Sequence, residues 1–367
     1  MEADQVPRVE AGSVTALRLY DVAYEIDLAR VEHEVPAGTP TRVRLAQAKA
    51  KAISYGEPPI VMSLGRAGLD VDGGPVEAEV TARVYDFGTV AISFRIAADG
   101  LAWASFEKLV NGAAIALNRG TAWSEPLERV RTLIAPALDR PTTTGVEEDY
   151  VVATVTAFDR ALSAEEVLAR VDVAKLLSGE TRALSDGARE DLMRKRFSWY
   201  TDDLVVLAWD RAFVVEPRGD SDVADVLEVA NAQLLELRYY DALLDAELPR
   251  MYERIEQARA AFGALSRRRY ADLARRIQTR VAEVTEIAER VDNALIVTED
   301  VYLARVYGAA LELFRVPQWQ VAVDRKLAIM RETYGALFHE AATARAEYLE
   351  AAIVLLIVLE IVLAFIM

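Results

Sequence analysis

Hydrophobic positions change their period part-way along the chain. Up to about residue 220 they fall in short runs broken by Gly, Pro and Asp, and beyond it they recur at helical spacing. The first run, Ala16 to Ile26 (ALRLYDVAYEI), reads as a strand, and Leu28 to Glu34 as a short helix. Val84 to Val90 reads as a strand with a turn at Asp86 to Gly88, and Val90 to Ile96 as its partner. A helix is expected from Leu101 to Asn111, closed by Gly112. The stretch Thr39 to Gly74 is rich in Gly and Pro and yields only a helix near Leu45 to Ala52.

The same order then recurs. Tyr150 to Phe158 (YVVATVTAF) is a strand, and Ser163-Ala164-Glu165-Glu166 has the form of a capping box. Phe197 to Tyr200, a turn at Thr201-Asp202-Asp203, and the strand Leu204 to Trp209 repeat the hairpin. Asp210-Arg211 turns into Ala212 to Val215, and Asp220 or Ser221 caps the helix that follows. Tyr85 and Tyr200 hold matching places before the two turns. Each copy reads strand, helix, hairpin, helix, with Ala135 to Gly145 as the linker between them.

Past this point four helices are expected. One runs from about Ser221 to Phe262 with Pro249 inside it, one from Ser266 to Ala294, one from Thr298 to Leu313, and one from Pro317 to the C-terminus. Short connections favour antiparallel packing. The last helix ends in Ala351 to Met367 (AAIVLLIVLEIVLAFIM), whose single polar residue is Glu360. It spans about 25 Å as a helix against a hydrocarbon core of about 30 Å. It reads as a tail anchor through Ala351, Leu355, Leu359, Glu360, Leu363 and Phe365, with a buried helix of an oligomer core as the other reading. Glu360 would then be an oligomer contact or a tolerated neutral acid.

The expected fold class is therefore α+β, with duplicated strand-helix-hairpin-helix units, then an antiparallel long-helix region and a C-terminal transmembrane helix. The divisions are residues 1–144 (first repeat), 145–240 (second repeat), 241–350 (helical or coiled-coil stalk) and 351–367 (membrane anchor).

Composition narrows the function. Of 367 residues 53% are apolar, enough for a sizeable core, and 58 acidic against 42 basic residues give a net charge of −16. Such a field repels nucleic acid and anionic lipid at long range, so neither is the expected global partner. Cysteine is absent, which removes disulfides, thiolate metal sites and cysteine nucleophiles. The acidic start, Met1 to Gln5, has no apolar run behind it, so the bulk of the chain is expected in the cytoplasm with membrane lipid met by the C-terminal helix.

Candidate chemistry is sparse. Arg267, Arg268, Arg269, Arg275, Arg276 and Arg280 form one basic cluster around Tyr270, which suits either an RNA phosphate contact or a solvated helix face. The carboxylate pairs Glu165-Glu166 and Glu299-Asp300 sit at expected helix starts, where negative charge favours the helix dipole. Asp202-Asp203 reads as turn residues. His33 and His339 lie far apart without ligand spacing, and no nucleotide-binding loop or nucleophile elbow is present. No catalytic, cofactor or metal residue is expected, and no cofactor.

The hairpin strand Leu204 to Trp209, the helix with Asn231-Ala232-Gln233-Leu234-Leu235, and the ending Tyr348 to Ile361 resemble the YagE-like, "required for meiotic nuclear division" family. Glu350 and Glu360 match the two acids of that family's ending, while Ala351 stands where it has tryptophan. The resemblance implies a terminal membrane helix, self-assembly and support of translation, with no catalytic residues defined. The expected function is a membrane-anchored, non-enzymatic, homo-oligomeric scaffold or tether with an unknown protein partner, which the resemblance implies is ribosome-associated. Two alternatives stand beside it. One is a membrane-associated enzyme with a site between the repeats, drawing on Asp86, Asp202, Asp203 and Arg211. The other is an RNA-binding protein using the Arg267–Arg280 cluster.

Overall fold

A computed structural model gives the fold. The structure describes residues 6–34, 43–44, 53–55, 57–71, 74–119, 121–142, 145–219, 222–259, 275, 278–279, 282, 295–297 and 300–366. In chain order the elements are β1 (Arg8–Asp21), β2 (Ala23–Ile26), α1 (Leu28–Glu34), β3 (Val43–Arg44), β4 (Ile53–Tyr55), β5 (Ile60–Val71), β6 (Gly74–Val84), β7 (Thr89–Ala97), β8 (Leu101–Ala102), α2 (Trp103–Arg119) and α3 (Ser124–Ile134). Next come β9 (Leu138–Pro141), β10 (Glu147–Phe158), α4 (Ala164–Arg170), α5 (Val173–Ser178), α6 (Asp186–Leu192), β11 (Arg196–Phe197), β12 (Leu204–Leu207) and β13 (Arg211–Val215). Then follow α7 (Asp222–Arg259), β14 (Leu295–Val297), α8 (Val301–Leu313) and α9 (Val316–Ile366).

The chain divides into two compact units, Met1–Glu236 with Arg290–Pro317, and Leu237–Glu289 with Gln318–Met367. The first is built on one large mixed sheet of order β11-β12-β13-β10-β1-β7-β6-β5-β3, with β8 paired to β1. β1 lies at its centre, antiparallel to both β7 and β10, while β10 and β13 run parallel.

Alternation along the strands decides what each face covers. On one face Val14 and Ala16 of β1, Ile92, Phe94 and Ile96 of β7 and Phe213 of β13 are buried. They pack with Trp103, Phe106 and Val110 of α2 and with Trp123, whose ring meets Phe94 edge-on. The other face is covered in part. The start of α7 crosses β6 and β7, where Arg83 pairs with Asp225 and Glu228, Tyr85 bonds Glu228 and Thr89 bonds Glu236. α8 covers β10 and β11, with Phe314, just past its end, against Tyr150, and Arg305 against Phe197.

The second unit, in its described residues, buries Tyr240, Leu244, Met251 and Ile255 of α7 and Val323, Leu327 and Met330 of α9. Lys326 joins the two helices by reaching both Asp241 and Asp245 at 2.6 Å. α7 passes through Pro249 as one helix.

Local expectations hold where short-range chemistry decides. α1 has the expected bounds, Ser163 and Glu166 form the reciprocal capping box, and α9 runs unbroken from beside Pro317. α8 starts later than expected, at Val301, with Asp300 as its cap accepting from the Tyr302 and Leu303 amides, while the expected start at Thr298 lies outside the described residues. Three local readings need correction. α2 continues through Gly112 to Arg119, because its apolar face is buried against the sheet. The expected linker contains β9, which pairs with β2. Thr39 to Gly74 contains β5, a long strand that breaks register beside Gly65. The expected helix near Leu45 to Ala52, the Asp220 or Ser221 cap and the helix ends at Phe262 and Gly263 lie outside the described residues. So does the helix from Ser266 to Ala294, apart from four helical residues within it.

The duplicated units are also corrected to one continuous mixed sheet. The hairpin strand β7 borders β1, whereas its supposed equivalent β12 is separated from β10 by β13, and β13 pairs in the opposite sense. Tyr85 is buried and stacked on Phe87, while Tyr200 is exposed. The transmembrane segment is the last correction. Among the described residues no helix is long and apolar enough to cross a membrane, so the tail anchor and the single-pass location are not supported. The run of about 25 Å falls short of a core of about 30 Å and carries Glu360 within it.

Candidate functional site

Three large aromatic side chains stand out of the first unit along the β11–β12 margin of its sheet. Trp199 is 55% exposed, Tyr200 48% and Trp209 54%. They sit on the two turns that bracket β12. The first turn is fixed by Asp203, a buried carboxylate that accepts the Trp199 amide at 2.7 Å. The Thr201 carbonyl accepts from the Ala164 amide, which ties this turn to the start of α4. The second turn is closed by the Ala208 amide, which donates to the Arg211 carbonyl, and by the Tyr150 hydroxyl, which donates to the Ala208 carbonyl.

Each exposed ring has a neighbour that holds its orientation. Trp199 lies 6.1 Å from Tyr302 between centroids, and Trp209 lies 6.4 Å from Phe314, edge-on. The Arg218 guanidinium is 4.4 Å from the Tyr200 centroid, and that of Arg315 is 5.9 Å from Trp209. The Tyr302 hydroxyl is pushed up first by burial and then by the carboxylates of Asp203, Glu216 and Asp300. It therefore stays protonated and able to donate. Arg196, Arg218, Arg305 and Arg315 are offset by Asp202, Asp203, Glu216 and Asp300, so the edge is rich in rings and charges but nearly neutral. Rigid, half-exposed Trp and Tyr flanked by Arg is the composition of an interface anchor.

A second feature is the uncovered part of the sheet face. Ser13 of β1, Thr156 of β10, Arg95 and Ala97 of β7, Glu77 and Glu79 of β6 and Arg66 of β5 line a groove of about 370 Å³. Arg66 pairs with Glu77 at 3.0 Å, and Asp99 accepts the Gly12 amide at 3.1 Å. Its charges are largely matched within the groove.

Beneath α7 lies a buried ionic seam. Arg83 is 2.7 Å from Asp225 and 3.2 Å from Glu228, and Tyr85 donates to Glu228 at 2.6 Å. Burial opposes the charge on Arg83, yet Glu228 and Asp225 outweigh it and raise its affinity for the proton. Burial pushes the Glu228 carboxyl up, against the pull of Arg83 and Tyr85. These groups hold α7 to the sheet. Sequence reasoning missed them because their partners lie more than a hundred residues apart.

The residues expected to carry function are not brought together. Arg211 is buried on the opposite face, donating to Asn111 of α2 and to the Leu176 carbonyl of α5. Asp203 fixes the first turn, Asp202 is exposed beside it, and the Asp86 carbonyl accepts from Ile26 at the β6–β7 turn. These four do not form a site between repeats. Arg267, Arg268, Arg269, Arg276 and Arg280 lie outside the described residues, and Arg275 is exposed on a helix. Leu355 and Leu363 are exposed on α9, whereas only the backbone of Ala351, Leu359, Glu360 and Phe365 is described. Among the described residues no group of three His, Asp or Glu is placed to hold a metal ion.

Residues 11–222, from within β1 to the first residue of α7, match the family model described as the N-terminal domain of the uncharacterized protein MJ0711. The chain belongs to this family. It is 24% identical over 191 residues to the uncharacterized protein MJ0711 of Methanocaldococcus jannaschii, an alignment that covers 52% of this chain. It spans 58% of the relative, so the chain covers little more than half of that protein's length. No solved structure matches the chain. Membership in this family overturns the resemblance to the YagE-like, "required for meiotic nuclear division" proteins, which rested on an aliphatic ending and a short hairpin. The expected link to translation came from that resemblance and is left without its support.

Proposed function

We propose that the chain is a non-enzymatic scaffold whose globular unit docks a protein partner on the aromatic edge formed by Trp199, Tyr200 and Trp209. The observation that carries this reading is the half exposure of three large rings on two fixed turns, each against an arginine or a second ring. Such rings bury much area at low entropic cost when a partner covers them. A single-stranded nucleic acid also stacks on aromatic side chains, but it needs a positive groove along its backbone. The matched charges around this edge and the net charge of −16 disfavour it.

The test is cross-linking in cells with quantitative mass spectrometry, comparing the intact chain with a Trp199→Ala/Trp209→Ala variant. The reading expects a defined protein, cross-linked to this edge, to fall at least about tenfold in the variant, as loss of two anchor residues implies. Circular dichroism should be unchanged. Cross-links that are the same in both chains, or recovery of RNA at this edge, would sink it.

A further inference from the structure

We infer that the aliphatic end of α9 is a self-association segment that packs against the same segment of a second copy of this chain. Ile353, Val354, Leu355, Leu356, Ile357 and Val358 are six consecutive residues, all between 50% and 68% exposed, and Ile361 and Leu363 are 52% and 51% exposed. Successive helix residues step by about 100°, so six in a row take in every side of the helix. A groove on one side of a partner would leave much of this surface in water. A bundle of several identical helices leaves less of it in water, because each copy supplies apolar side chains to neighbours on more than one side.

The area fits. Eight half-exposed aliphatic residues present on the order of 800 Å² of surface in total, about what one partner contributes to a standard interface when its neighbours together cover the helix. The charge pattern fits as well. No charged residue falls between Glu350 and Glu360, so copies meeting over this stretch avoid the repulsion that a net charge of −16 imposes elsewhere. The mixture of Ile, Val and Leu is what helix-bundle seams use. The segment lies in the second unit and the inference does not depend on the aromatic edge.

The experiment uses the full chain in detergent-free buffer. Sedimentation equilibrium should show an oligomer at micromolar concentration. Leu355→Asp/Val358→Asp should weaken it at least about 100-fold with helix content unchanged, since two charges would enter an apolar seam. Because the chain has no cysteine, Leu356→Cys alone should yield a disulfide-linked dimer on mild oxidation. This second reading stands even if the double variant misfolds. A monomeric wild type, a double variant as oligomeric as wild type, or co-flotation with phosphatidylcholine vesicles without the Leu356→Cys dimer would each overturn the inference.

Discussion

The Tyr85 hydroxyl donates a 2.6 Å hydrogen bond to the Glu228 carboxylate across 143 residues of sequence. Both groups are buried, so the bond fastens the β6–β7 hairpin to α7 in a place that water does not reach. Tyr85→Phe removes the donor and leaves the carboxylate under-satisfied. Its expected cost is about 1–3 kcal/mol in urea unfolding. The far-ultraviolet spectrum should not change. A loss within error of zero would mean that Arg83 alone holds Glu228.

The same carboxylate makes stability depend on pH. Burial raises Glu228 above its ordinary value of 4.5, so the folded state takes up this proton at higher pH than the unfolded chain does. Its contribution is fully present below about 4.5 and is lost as pH rises through the raised value. Glu228→Gln removes this titration while keeping an acceptor for Tyr85. The difference in unfolding free energy, variant minus wild type, should therefore grow more favourable to the variant as pH climbs from 4 towards 7. A flat difference across that range would contradict the burial argument.

Gly179 and Arg211 should behave as a coupled pair. Gly179 ends α5 with φ +65°, and a Cβ there would stand 2.9 Å from Arg211 Nη1. That guanidinium is held by Asn111, by the Leu176 carbonyl and by Asp210. Gly179→Ala is expected to cost about 1–2 kcal/mol from backbone strain and crowding. Arg211→Lys, which loses the planar fork, should cost about 2–4 kcal/mol. Thermal unfolding of the double variant should show less than the sum, because the crowding has no target once the guanidinium is gone.

Among the described glycines, Gly88 marks the tightest backbone approach. It sits in the β6–β7 turn with φ +94°, and a Cβ would fall 1.9 Å from the Ala23 carbonyl oxygen. The Gly88 carbonyl also accepts the Val22 amide at 3.0 Å, which sets the step from β1 into β2. Gly88→Ala should cost at least about 3 kcal/mol and lower the yield of folded protein. A variant with wild-type melting temperature would show that this turn relaxes freely.

What the sequence discloses follows the range of the interactions involved. α1, β7 and the capping box of α4 depend on a few adjacent residues, and their signals are legible. β5 hides because Gly65 and Gly68 interrupt its alternation. Gly112 reads as a stop but stays helical because packing on the sheet outweighs a propensity cost of about 1 kcal/mol. The order of strands is set by pairings such as Val14 with Ala153, which no local window contains. The aromatic edge was visible only as strand and turn residues. Whether Trp199 and Trp209 face a core or face outward is decided by α8, which lies about a hundred residues later in the chain.

Synthesis meets this topology in an awkward order. β1 comes before every other described strand, yet its neighbours β7 and β10 end only at Ala97 and Phe158. Until both have emerged, a long row of unpaired backbone N–H and C=O groups on each side of β1 is open to wrong pairings with other chains. Renaturation from denaturant should accordingly be slow and sensitive to protein concentration, because the β5–β6–β7 meander forms locally but joining it and β10 to β1 closes very large loops.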